Sequence, residues 1–244
     1  MRRILLLLAA LFLAWGCAAT QIALEKKDLK VETLMSETIF LDVENLAERS
    51  VFVDVRNTSD KDLNIAQGIT TRLQQKGYAI SNNPKTAGYI LQVNVLQVGM
   101  ADPSALRASV YGGYGSTLGA GLAGATAGAL IGGAAGNSVA GGAIGGLAAG
   151  TADVVAGSLV KDVTYSIITD VMISEKTTGK VKERQAANLA KGKGTSVQQS
   201  VDKTTNRLRY QTRVASSANQ VNLKFEEALP PLQEGLARVI SGIF

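Results

Sequence analysis

Apolar and polar positions follow three different patterns along this chain. In Ser50–Asn57, SVFVDVRN, they alternate, with Val51, Val53 and Val55 on one side, the period of two of a half-buried strand. NTSDKD (Asn57–Asp62) follows as a turn, in which Ser59 or Asp60 offers an oxygen to cap a helix. That helix would bury Ile65, Ile69 and Leu73, four residues apart, and stop at Gly77. Alternation returns in Ala87–Val98, with Leu91, Val93 and Val95 inward, and twice more in Val163–Ser174 and Arg207–Ser216. At the C-terminus Leu232, Leu236, Val239 and Ile243 fall on one helical stripe, with Pro230 and Pro231 at its expected start. The helical period before Phe244 argues against a terminal strand of a membrane β-barrel.

The third pattern is a block without charge. Ala108 to Ala152 is 45 residues long and carries no Asp, Glu, Lys or Arg. A bilayer-spanning helix needs about 20 residues, so the block has room for two, Gly115–Ala135 and Val139–Leu159, broken at Gly136–Ser138. Gly124, Gly128, Gly132 and Gly136 recur every four residues, as do Gly142, Gly146 and Gly150. That spacing places them on one helix face, where small residues permit close packing in lipid. Leu118, Leu122, Leu130, Ile131, Ile144 and Leu147 would then face lipid. The expectation is a Gly/Ala-rich transmembrane helical hairpin that packs against copies of itself in a homo-oligomer. The alternative is a glycine-rich loop, although linkers normally carry Ser, Asn or charge where this block carries Ala, Leu and Ile.

The first residues, MRRILLLLAALFLAWGCAAT, join two arginines to an apolar run and then to small residues, the form of a secretory signal too short to span a bilayer. LAWGC resembles a bacterial lipoprotein signal, which would make Cys17 the lipidated first residue of the mature chain. Cys17 is the sole cysteine, so lipidation accounts for a thiol that has no disulfide partner. Ala18 follows it, and in lipoproteins the lack of Asp there implies export to the outer membrane.

Composition narrows the chemistry. There is no histidine, and the one cysteine is assigned to lipid, which removes the commonest metal ligands and the usual bases and nucleophiles of hydrolases. Asp60 and Asp62 sit in a turn, and the glycines of the uncharged block lack the adjoining lysine of a phosphate loop. The expectation is a protein that is not an enzyme, with no catalytic residue, metal or cofactor beyond the lipid on Cys17. The net charge is +5, and Glu175–Arg213 holds ten Lys or Arg against three acidic residues. This segment suits either an anionic surface such as lipopolysaccharide phosphate or an ordinary solvated strand edge, and the spread of its charges favours the edge. Nucleic acid is not expected, because the chain is exported and aromatic residues are few there.

KDLKVETLMSETIFLD (Lys27–Asp42), NTSDKD, DVTYSIITDVMISEKT (Asp162–Thr177) and YQTRVASSANQVNLKFEEALPPLQEGLA (Tyr210–Ala237) closely resemble the TraT family. The resemblance covers nearly all of the mature chain. It implies a surface-exposed, oligomeric outer-membrane lipoprotein of conjugative plasmids, acting in surface exclusion and in resistance to complement. Partners would be outer-membrane lipid, other copies of the chain, and donor-cell pilus or mating-pair proteins. The organisation expected is a signal peptide (1–16), a lipidated tether (17–30), the first half of an α/β-type domain (31–107), the membrane hairpin (108–160) and the second half (161–244). The fold class expected is therefore α+β, strands and two helices with an inserted transmembrane hairpin. A structural envelope lipoprotein with a periplasmic domain is the alternative function.

Overall fold

The computed structural model describes residues 25–41, 49–116, 118, 161–190 and 196–244, with backbone alone for 185–190 and 196–201. The elements are β1 (Lys30–Met35), β2 (Ser50–Asn57), α1 (Ile65–Gln75), β3 (Ala79–Ile80), β4 (Tyr89–Met100), α2 (Pro103–Tyr111), β5 (Asp162–Ala190), β6 (Ser196–Val221) and α3 (Phe225–Gly242). They build one curled sheet in the order β1-β6-β5-β4-β2-β3. β2 runs parallel to β3 and β4, and all other neighbours are antiparallel.

The alternation sorts the sheet into two faces. Val51, Leu91, Val93, Val95, Ile167, Val171, Ile173 and Val214 meet Ile65, Ile69 and Leu73 of α1 and Leu232, Leu236 and Ile240 of α3 in the main core. Burying each such aliphatic side chain stabilises by roughly 1.5–3 kcal/mol, which is what holds these two helices on the sheet. α3 starts earlier than its prolines suggest. Phe225 opens it and stacks edge-on against Tyr165, Glu226 and Glu227 occupy its positive first turn, and Pro230 and Pro231 lie inside it. Its C-terminal ring, Phe244, packs with Tyr78 and Tyr89. α1 has Asn64 rather than Ser59 or Asp60 before it, and no side chain caps it. Asn57 instead accepts from the Ser59 amide at 3.0 Å and closes a local turn. Gly77 ends the helix region at φ +86°, as a glycine allows.

β4 switches faces at a bulge between Val95 and Gln97. After it Val98, not Gln97, returns to the main core, while Leu96 joins the opposite face. There Leu106 and Val110 of α2 close a small second core over Ile168 and Ala215.

The expected fold class is overturned. The described chain is a curled mixed sheet with three helices, and no described helix is long and apolar enough to cross a membrane. Among the described residues there is no transmembrane hairpin, and residues 119–160 of the expected hairpin lie outside them. The first residues of the uncharged block, 108–111, finish α2, whose Val110 packs on the sheet. Leu118, expected to face lipid, packs on that second core. Residues 108–111 are helical because a start signal lies in the charged flank before them. Asp102 caps α2 through the Ser104 and Ala105 amides at 2.8 and 3.0 Å, and Pro103 takes the first helical position.

Candidate functional site

Three clusters of polar side chains fix where the chain enters and leaves the sheet. The first is a buried ion pair on the α2 face. β5 and β6 set Asp170 and Arg213 on the same rung, side by side. Arg213 is 0 % exposed and Asp170 8 %. Arg213 donates from Nε to Asp170 Oδ1 at 2.7 Å and from Nη2 to Oδ2 at 3.1 Å, a bidentate fork. Nη1 donates to the Ser109 carbonyl at 3.1 Å and Ser116 Oγ at 2.7 Å, and Nη2 also to the Ser116 carbonyl at 2.9 Å. All five guanidinium hydrogens thus find acceptors. The Gly115 amide donates to Asp170 Oδ2 at 2.9 Å, with Gly113 and Gly115 at φ +74° and +72° making the tight turn. The node binds the end of α2 and the turn after it to the centre of the sheet. Burial, and next the Asp170 charge, push the Tyr114 phenol above its ordinary value of 10.0.

The second cluster joins the end of the expected tether to the start of β5. Asp162 pairs with Lys26 and accepts from Asn219 Nδ2 at 2.6 Å. The Val221 amide donates to the Lys26 carbonyl at 3.0 Å, and Gln220 Nε2 to that of Lys27 at 2.8 Å. Asn222, at φ +53°, accepts from the Lys161 amide at 3.0 Å through its side chain and donates its own amide to the Lys161 carbonyl at 2.8 Å. A cleft of about 340 Å³ opens beside α2, lined among others by Lys26, Lys30, Glu32, Arg107 and Asn219. Its charges are of mixed sign, and Arg107 lies 4.0 Å from Glu32.

The third cluster roots the far ends of β5 and β6. Glu175, 3 % exposed, accepts from the Tyr89 and Tyr210 hydroxyls at 3.2 and 3.0 Å. Arg207 donates to the carbonyls of Pro84, Ala87, Gly88 and Ser174 at 2.7 to 3.4 Å, tying the loop before β4 to β6. Beyond it β5 carries a bulge between Lys176 and Val181, and across the bend Arg209 Nη1 grips both Glu183 oxygens at 2.6 and 2.7 Å.

These contacts revise the basic segment. Arg207, Arg209 and Arg213 are spent on carbonyls and carboxylates of the same chain, and Arg184 pairs with Asp202 at 3.0 Å. Lys180, Lys182 and Lys203 are exposed. Sequence reasoning missed all three clusters. RLRYQTR places arginines two and six residues apart on one strand face, a signal that needs the facing strand before it means anything. Among the described residues no group of three His, Cys, Asp or Glu side chains could hold a metal ion. Cys17 and Gly124, Gly128, Gly132, Gly136, Gly142, Gly146 and Gly150 lie outside the described residues.

The resemblance carried by the sequence blocks is borne out by comparison with known proteins. A family model described as "Enterobacterial TraT complement resistance protein" matches residues 28–244. A TraT complement resistance protein of Escherichia coli is 40% identical over 242 residues, covering 97% of this chain and 94% of its own. Another, of Escherichia coli strain K12, is 42% identical over 234 residues, covering 93% and 91%. One of Wigglesworthia glossinidia brevipalpis is 26% identical over 234 residues, covering 94% and 90%. The match begins at the tether and runs through every strand and helix described above, so the chain belongs to the TraT complement resistance protein family.

Proposed function

We propose that this chain is an outer-membrane lipoprotein, anchored through lipid on Cys17 and exposed at the cell surface as a homo-oligomer. There it protects the cell against complement and lowers its competence as a recipient in conjugation. The observation that carries the reading is family membership over residues 28–244, with about 40% identity to relatives named as complement resistance proteins. Surface exclusion is the finer part and rests on the resemblance of the sequence blocks. The mechanism would be steric or competitive occupation of a contact surface, with no bond made or broken. The fold supports such a role by rigidity. Its internal charges hold the end of the tether, the α2 turn and the long strands in fixed relation to one sheet.

The test of exclusion is mating frequency into recipients expressing the chain, an empty vector or a Cys17→Ser form, with donors of several conjugative plasmid types. A drop for at least one type that is lost in Cys17→Ser is expected. No drop for any type, with the protein shown at the surface, would remove exclusion and leave complement protection.

A further inference from the structure

β5 and β6 are 29 and 26 residues long, far longer than the sheet that holds them. β4 pairs with β5 only as far as the Tyr89–Glu175 rung, and β1 pairs with β6 only as far as Met35–Val214. Beyond the bulge, Val181–Ala190 and Ser196–Thr205 pair with each other over ten rungs and with no other described strand. At the rise of an antiparallel strand this ribbon reaches about 30 Å past the bulge. Each of its strands turns alternate N–H and C=O groups outward, where they meet no described strand. A two-stranded hairpin is marginal by itself, and a long open edge is a template for another strand. The sheet's own end strands, β1 and β3, are six and two residues long, so the extended open edges of the described fold are those of the ribbon.

We propose that the ribbon is the assembly surface of this protein, and that the outer edge of β5 in one copy pairs, antiparallel, with the outer edge of β6 in the next. The occupant is a second copy because two different edges need cover, and each copy supplies both. Charge selects the same arrangement. Arg184 and Asp202 face each other on one rung within the chain, and a β5–β6 contact between copies repeats that opposition. Pairing β5 with β5 would instead oppose Lys180, Lys182 and Arg184 to themselves, and like charges on facing strands are unfavourable. Joining unlike edges is heterologous, so it closes as a ring or runs on as a filament; closure into a barrel leaves no open edge. The bulge and the Arg209–Glu183 pair set the angle at which every ribbon leaves its sheet, which is what a ring of equal subunits requires. The inference deepens the homo-oligomer of the proposed function, while its test reads neither serum survival nor mating.

The experiment uses the full-length chain in membranes. One copy carries Lys182→Cys and one tag, and a co-expressed copy carries Thr204→Cys and a second tag. Both positions are exposed, so the fold is kept. A short bis-maleimide should give a dimer bearing both tags, at least fivefold above either variant expressed alone and above the parent chain with only Cys17. Arg184→Cys and Lys180→Cys, paired with Thr204→Cys, bracket a shift of register. In parallel, removing residues 181–205 should reduce the mass of the detergent-solubilised assembly, read by light scattering, to that of one chain. A mixed-tag yield no higher than the parent's at all three pairings, dimers dominated by Lys182→Cys with itself, or an unchanged mass after removal of the ribbon would each overturn the proposal.

Discussion

Replacing Asp170 with Ala would test the buried node most sharply. The substitution takes away two of the acceptors of Arg213 and the acceptor of the Gly115 amide, and it leaves a guanidinium that is 0 % exposed without its counter-charge. Removing one partner of a buried pair costs about 3–5 kcal/mol, because the remaining charge can neither reach water nor find a new partner. At roughly 2–4 °C per kcal/mol for a chain of this length, the melting temperature should fall by on the order of 10 °C. Arg213→Met should fall in the same range, since among the described residues Asp170 would keep the Gly115 amide as its one remaining donor. The double change, Asp170→Leu with Arg213→Met, should cost less than either single one, because an apolar pair needs no desolvation. Chemical denaturation of the detergent-solubilised chain, followed by circular dichroism, reads all four proteins. Raised salt should leave the difference unchanged, since a buried pair is little screened. A cost below about 1 kcal/mol for Asp170→Ala, the worth of an exposed pair, would refute the keystone role.

Gly235→Ala places a methyl 2.6 Å from Thr33 Oγ1 and 2.8 Å from Ser216 Oγ, two hydroxyls already bonded to each other at 3.0 Å; unfolding assays should show a loss of about 1–3 kcal/mol, partly recovered by Ser216→Ala. Asp102→Ala removes the cap of α2 and should cost about 1 kcal/mol in the same assay. Burial pushes the Asp102 carboxyl up, but the Ser104 hydroxyl and the Ala105 and Ser104 amides outweigh it and hold the group below its usual 3.8. A depressed acid stabilises above its unfolded value and loses that contribution as pH falls through the folded one, so the cost of Asp102→Ala should shrink below about pH 4 and vanish in stronger acid. Burial raises the phenols of Tyr78, Tyr114 and Tyr165 above 10.0. Raised groups stabilise fully below the unfolded value and lose that contribution as pH climbs through the folded one. Stability should therefore decline above about pH 10, with tyrosinate absorbance appearing later in the folded chain than in the denatured one.

Much of the sheet is legible from period alone, because one buried face imposes alternation. Val51, Val53 and Val55, and Leu91, Val93 and Val95, announce β2 and β4, and Ile65, Ile69 and Leu73 announce α1. β1 was missed although Val31, Thr33 and Met35 alternate, since a six-residue edge strand among polar neighbours gives a weak signal. α2 was missed because its apolar residues lead into the uncharged block, and composition over a long window outweighed the Asp102-Pro103 start. The same weighting shaped the expected fold class, which the described sheet and helices overturn. The lengths of β5 and β6 were understated because Lys176–Arg184 and Asp202–Arg209 lack an apolar face and are held by rung pairing and ion pairs instead. The clusters around Arg213, Asp162 and Glu175 join residues from distant parts of the chain, so no local pattern encodes them.

Survival in serum tests the central claim most directly. Complement-sensitive cells would express the chain, an empty vector, or the Cys17→Ser form at matched levels, and viable counts would be taken in active and heat-inactivated serum. The account predicts at least tenfold higher survival for the chain in active serum, no difference in inactivated serum, and loss of the protection in Cys17→Ser. Survival equal to the empty vector, with the chain abundant at the surface, would contradict it.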